Sequence, residues 1–217
     1  MNKLQWIELI QNKLGGGSVT ADIKEKYRDG VVKIHLGIAF NDLVLRVYQN
    51  SLNQSISDLD AYCKIYSKGL SPDIDANTGM KYILISTITT SGKLLQIPNN
   101  KAIRRIIATE LHGATPTICL YRDWGMSDVY GDLEVNGYLT NPRYSVLGNY
   151  LYFDGNADLL DLVIFKILML VPFSEWDDTE ELPAPLENNA TIIEEVCQRL
   201  LNMPPEDKIM DDNTVQV

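Results

Sequence analysis

The sequence predicts an α+β protein, with helices at both ends and a β module between them. Three observations carry this expectation. Apolar residues recur at helical spacing over the first fifty positions. From Tyr62 to Phe153 the chain turns to short β-prone runs separated by glycine, proline and asparagine. Directly after them comes the most apolar stretch, Leu159 to Val171, reading LLDLVIFKILMLV. Its thirteen residues include Asp161 and Lys166, so it falls short of the roughly 20 apolar residues of a membrane span. As a strand it places Leu162, Ile164, Lys166, Leu168 and Leu170 on one face, and Val163, Phe165, Ile167, Met169 and Val171 on the other. The expectation is a central strand covered on both faces, with a buried helix as the alternative for so short a run.

In chain order, Leu4, Ile7, Ile10 and Leu14, with Trp6 and Leu9 beside them, predict an amphipathic helix over residues 2–14. Gly15, Gly16 and Gly17 end it and hinge it to the next segment. Thr20 to Tyr27, with Asp22 and Glu25 early, predicts one or two helical turns. Ile34, Ile38, Val44, Val47 and Tyr48 predict a helix from Val31 to Gln49, with Gly37 as its weak point. Two strands come next, Tyr62 to Ser67 and Lys81 to Ile88, expected to pair across the turn-rich Ser71 to Gly79. Leu94 to Ile97 and Ile103 to Ile107 read as strand end and strand about a turn. Tyr121 to Tyr138 reads as ordered loops, and Tyr144 to Phe153 as a hairpin about Gly148-Asn149. Ser174 to Glu187, acidic and holding Pro183 and Pro185, reads as an extended connector. The capping-box match Thr191 to Glu194, with Ile192, Ile193, Val196, Leu200 and Leu201, predicts a helix over 189–202. The expected divisions are an N-terminal helical region (1–57), a central antiparallel β-sandwich or barrel module (58–172), and an acidic extension (173–217) with one short helix and a flexible tail.

Charge is distributed unevenly. The net charge is −10, and the stretch from Pro172 to Val217 carries all of it, so the body is neutral and offers no broad basic surface for nucleic acid. Cys63, Cys119 and Cys197 stand far apart without a CxxC pair, which argues against a disulfide framework or a zinc site and suits a reducing compartment. The N-terminus lacks the uninterrupted apolar core of a signal peptide.

Motifs that could carry chemistry are incomplete. The triple glycine lacks the preceding strand and Lys-Ser/Thr step of a phosphate loop. Asp73, Asp75 and Asn77 alternate as in a calcium loop, but Thr78 and Leu84 stand where its glycine and glutamate belong. His35 reads as a core histidine, and Arg104-Arg105 as one small basic spot. His112 and Cys119 lack an orienting third group. The residues therefore support no catalytic, metal or cofactor site. The competing enzymatic reading is a small phage or bacterial hydrolase with a pocket near His112, Asp123 or Asp128.

The order of pieces resembles a known group. N-terminal helices lead to Tyr62-Cys-Lys-Ile-Tyr. A loop and strand lead to Leu95-Gln-Ile-Pro-Asn-Asn-Lys-Ala-Ile-Arg-Arg-Ile. Hairpins, an acidic proline-punctuated connector and a short helix end in Pro205-Glu-Asp-Lys-Ile-Met-Asp-Asp-Asn. This layout resembles the small head-to-tail ring proteins, connectors or adaptors, of crAss-like short-tailed phages of gut Bacteroidetes. The resemblance implies a non-enzymatic virion structural protein, made in the bacterial host cytoplasm. It further implies a homo-oligomeric, dodecameric ring in the portal complex or tail, in contact with portal and neighbouring ring proteins. DNA would be channel cargo during genome ejection, and no membrane partner is implied. On that reading the apolar stripes of the terminal helices are subunit interfaces: Trp6, Ile7 and Ile10 against a neighbour or the portal, and Ile193, Val196 and Leu200 against an adjacent ring. The alternative on sequence grounds is that both helices fold back on their own subunit and the acidic charge only keeps the protein soluble.

Overall fold

The computed structural model describes residues 1–51, 57–97, 102–110, 116–123, 141–155, 157–161, 163–183 and 186–203. They form an α+β protein of two compact units, Met1–Val47 with Trp176–Val217, and Tyr48–Glu175. The N-terminal helices and the chain's last segment thus belong to one unit.

In the first unit, α1 (Lys3–Leu14) starts at Asn2, whose side chain accepts from the Gln5 amide while the Gln5 side chain accepts from the Asn2 amide. This reciprocal cap satisfies two donors that a helix start leaves over. The helix stops at Gly15, after which Gly16 and Gly17 take positive φ that side chains resist. Helix α2 (Ala21–Lys26) is capped by Thr20. Helix α3 (Asp29–Ser51) runs without a break through Gly37, so the expected weak point leaves no interruption. Helix α6 (Leu186–Leu201) packs on α1. It begins five residues before Thr191, so that threonine lies within the helix and the capping-box reading of its start is corrected. The connector is also less extended than expected, with a 3-10 turn over Phe173–Glu175.

The second unit contains α4 (Ser57–Asp60) and strands β1 (Lys64–Leu70), β2 (Asp73–Ile74), β3 (Lys81–Leu84), β4 (Ile103–Glu110), β5 (Thr117–Tyr121), β6 (Arg143–Leu147), β7 (Tyr150–Asp154) and β8 (Val163–Met169). They form one eight-stranded sheet in the order β1-β8-β4-β5-β6-β7-β3-β2. Its pairs are antiparallel except β5–β6, which is parallel. The first and last strands in this order, β1 and β2, are joined by Ser71-Pro72 alone. Three Cα steps hold Leu70 within about 11 Å of Asp73, and the sheet curls into a half-barrel.

Two local expectations are corrected here. Strand β1 does not pair with β3; it lies against β8, in register from Lys64↔Met169 to Leu70↔Val163. The β-prone run from Lys81 ends at Leu84, and Ile85–Ile88 (α5) forms a helical turn. There the Ile85 amide donates to Asn149 O and the Thr87 hydroxyl to Leu84 O, while Ile85 and Ile88 are buried together.

The apolar run is a strand, interior to the sheet between β1 and β4. Val163, Phe165, Ile167 and Met169 are fully buried on its inner face, joined there by Ile106, Tyr144, Leu151, Phe153 and Ile83. The Phe153 and Phe165 rings lie 5.6 Å apart. The other face is covered only in part: Lys166 is exposed, Ile164 and Leu168 are half-buried, and Leu170, just past the strand, is buried. One closed face is enough to fix the strand.

Candidate interaction surface

On the free edge of β1, opposite its ladder with β8, side chains rather than a second backbone ladder hold the strand. The buried carboxylate of Glu175 accepts from the amides of Thr90 and Ser91 at 2.9 and 2.5 Å and from the Tyr66 hydroxyl at 3.2 Å. Lys64 Nζ donates to Glu175 O at 2.9 Å, and Lys68 Nζ to Thr87 O at 2.8 Å. Burial alone would raise the Glu175 pKa; the hydrogen bonds from Ser91, Thr90 and Tyr66 outweigh it and hold the carboxyl below its usual range. This group latches β1 to the segment after α5.

The outer face of the same sheet is different in kind. The pairings Ile65↔Leu168↔Arg105 and Ser67↔Lys166↔Ile107↔Ile118 put these side chains on one surface, and Leu120 follows Ile118 on the same side of β5. Ile65 is 67% exposed, Ile118 49% and Leu120 42%, while Ile107 and Leu168 are half-buried. Arg105 and Lys166 lie exposed among them, and neither has an ion pair among the described residues. Arg104 stands at the β-bulge between Ile103 and Arg105 and pairs with Asp60 at 3.4 Å. Within the expected basic spot, Arg104 is thus ion-paired, whereas Arg105 has no ion pair among the described residues. A sheet surface of aliphatic side chains carrying two unpaired cations suits a macromolecular contact better than a small-molecule reaction.

The six residues expected at subunit interfaces lie elsewhere. Trp6, Ile7 and Ile10 on α1, and Ile193, Val196 and Leu200 on α6, are all buried in the first unit. The two stripes meet within one chain, where the Leu182 amide donates to Met1 O at 3.0 Å and Lys3 Nζ to Trp176 O. An apolar stripe must be buried, and here its own subunit buries it. Between α3 and α6, Arg199 reaches Asp42 at 2.7 Å and Arg46 pairs with Glu195, while Arg199 also meets Glu195 one turn away on α6 at 2.8 Å.

Among the other sequence candidates, Asp75 accepts from the Asn77 amide and the Tyr152 hydroxyl and closes a turn at Gly79. No group of three metal-type side chains comes together among the described residues. His35 has its pKa lowered by burial and by Arg199. His112 and Asp128 lie outside the described residues, as do most of the expected loops of Tyr121 to Tyr138 and the expected tail, whereas Asp123 accepts from the Tyr121 hydroxyl at 2.8 Å. Burial pushes the Cys63 and Cys119 thiols up to about 12, away from nucleophilic use. A wide-open groove of about 450 Å³ runs between Met1, Gln5, Glu8 and Asn12 and the loop Gly17 to Val19. No described helix is long and apolar enough to cross a membrane.

No family model matches the chain. It is 26% identical, over 196 aligned residues, to an uncharacterized protein of Methanocaldococcus jannaschii. That alignment covers 78% of this chain and 52% of the relative, so the chain spans about half the length of the curated protein it matches.

The outer sheet face escapes sequence reasoning because an almost unbroken apolar run predicts burial on both sides. The signal against it is Lys166 in the middle of LVIFKILML: a lysine on a strand's second face marks that face as reaching solvent.

Proposed function

We propose that this protein is a structural subunit that works by contact with other chains, as an oligomeric ring of a phage head-to-tail connector or tail around the DNA channel. The observation that carries the contact role is the aliphatic outer face of β1, β8, β4 and β5 with its unpaired Arg105 and Lys166. The virion placement, the dodecameric ring and the portal neighbours come from the family resemblance. The body of the chain is electrically neutral while the C-terminal region is acidic, so DNA passing a channel would be repelled rather than held.

The contact surface moves from the terminal helices, where the stripes are occupied, to the sheet. The test is the mass of the purified full-length protein by light scattering, together with its copy number relative to portal protein in particles. A stable multimer of wild type that Ile118→Asp dissociates, without loss of secondary structure, supports the reading. A monomer at all concentrations, and absence from particles, refutes it.

A further inference from the structure

An occupant complementary to both the aliphatic side chains and the cations of the outer face is apolar and acidic at once. A phosphate backbone would satisfy Arg105 and Lys166 but has nothing to set against Ile65, Ile118 and Leu120. A purely aliphatic partner would bury the two cations without carboxylates, and an unpaired buried charge is strongly disfavoured. The chain itself contains a segment of the required chemistry. Residues 204–217 read PPEDKIMDDNTVQV: the acidic pair Glu206-Asp207 and the acidic pair Asp211-Asp212 bracket Lys208 and the apolar pair Ile209-Met210, and Val215 and Val217 follow. Fourteen residues reach at most about 50 Å when extended, well beyond the roughly 19 Å width of four strands.

Resting on the assembly reading above, we propose that the outer face of β1, β8, β4 and β5 docks the C-terminal segment 204–217 of a neighbouring copy. The segment's carboxylates meet Arg105 and Lys166, and Ile209 and Met210 lie against Ile118 and Leu120. A C-terminal arm laid across the next subunit's sheet links copies head to tail, the arrangement that closes a ring.

The test uses full-length chains, each carrying one added cysteine, co-expressed in pairs and oxidised. The native thiols are buried and stay out of the reaction. Ile118→Cys with Met210→Cys is expected to give a disulfide between different chains, in at least tenfold higher yield than Ile34→Cys with Met210→Cys. Ile34 is an exposed α3 position that serves as control. Adding Arg105→Glu and Lys166→Glu should lower the yield about tenfold at low salt. A yield no higher than the control overturns the proposal. In a second sample, one chain carrying both Ile118→Cys and Met210→Cys, a disulfide that forms only within that chain also overturns it. The molecular mass read in the same samples separates the cases: a multimer without the link removes this inference alone, whereas a monomer removes the assembly reading as well.

Discussion

Replacing Glu175 with glutamine tests how the open side of the half-barrel is held. The carboxylate gathers the Thr90 and Ser91 amides and the Tyr66 hydroxyl, and is itself buried. Glutamine keeps the shape and one acceptor oxygen but turns an NH2 group toward a donor. Hydrogen bonds to charged groups contribute about 1.5–3 kcal/mol each, so losing one and weakening the rest costs about 2 kcal/mol. That corresponds to roughly 30-fold faster opening. Amide hydrogen exchange at Thr90 and Ser91 is the direct assay, since these groups are released when the latch opens. The effect depends on pH with a definite sign. The folded carboxyl lies below its unfolded value of about 4.3, so its contribution is fully present above that value and is lost as pH falls through the folded pKa. Wild type and Glu175→Gln should therefore differ at pH 7 and converge in acid. Equal exchange of both amides in the two proteins at pH 7 would refute the latch.

Four further outcomes are expected. Val196→Asp with Leu200→Asp places two carboxylates in the seam between α1 and α6 and should unfold the first unit; a wild-type thermal melt by circular dichroism would place that seam elsewhere. A Cβ on Gly15 would come within 2.1 Å of Ser18 O, so Gly15→Ala should cost about 1–3 kcal/mol in urea unfolding. Phe165→Ala should cost about 3–5 kcal/mol, whereas Ile65→Ala on the outer face should stay within about 0.5 kcal/mol; comparable losses would contradict the assignment of the faces. At pH 8 the native chain should leave Cys63 and Cys119 unlabelled by a disulfide reagent and react fully in urea, since both thiols lie near 12.

The reach of each signal along the chain decides what the residues disclose. Helices α1 and α3 and the β6–β7 hairpin are legible because period and turn chemistry act within a few residues. The partner of a stripe is a long-range fact: Trp6 and Val196 announce that they must be buried, not which chain buries them. Strand pairing is equally remote, and the proximity of Tyr62 to Ser67 and Lys81 to Ile88 along the chain favours a hairpin that β8 pre-empts. Capping grammar is ambiguous in both directions. Asn2 with Gln5 forms a reciprocal cap, whereas Thr191 with Glu194 has the letters without the extended backbone that a cap requires.

The place of β8 has a consequence for synthesis. It lies between β1 and β4, and its register joins Lys64 to Met169, more than a hundred positions later. Until that strand leaves the ribosome, the nascent chain carries two long β edges with no neighbour between them, and the first unit also waits for α6. The protein cannot consolidate from its N-terminus as it is made. Premature termination or slow elongation before Val163 therefore leaves the edges of β1 and β4 open to pairing with other chains.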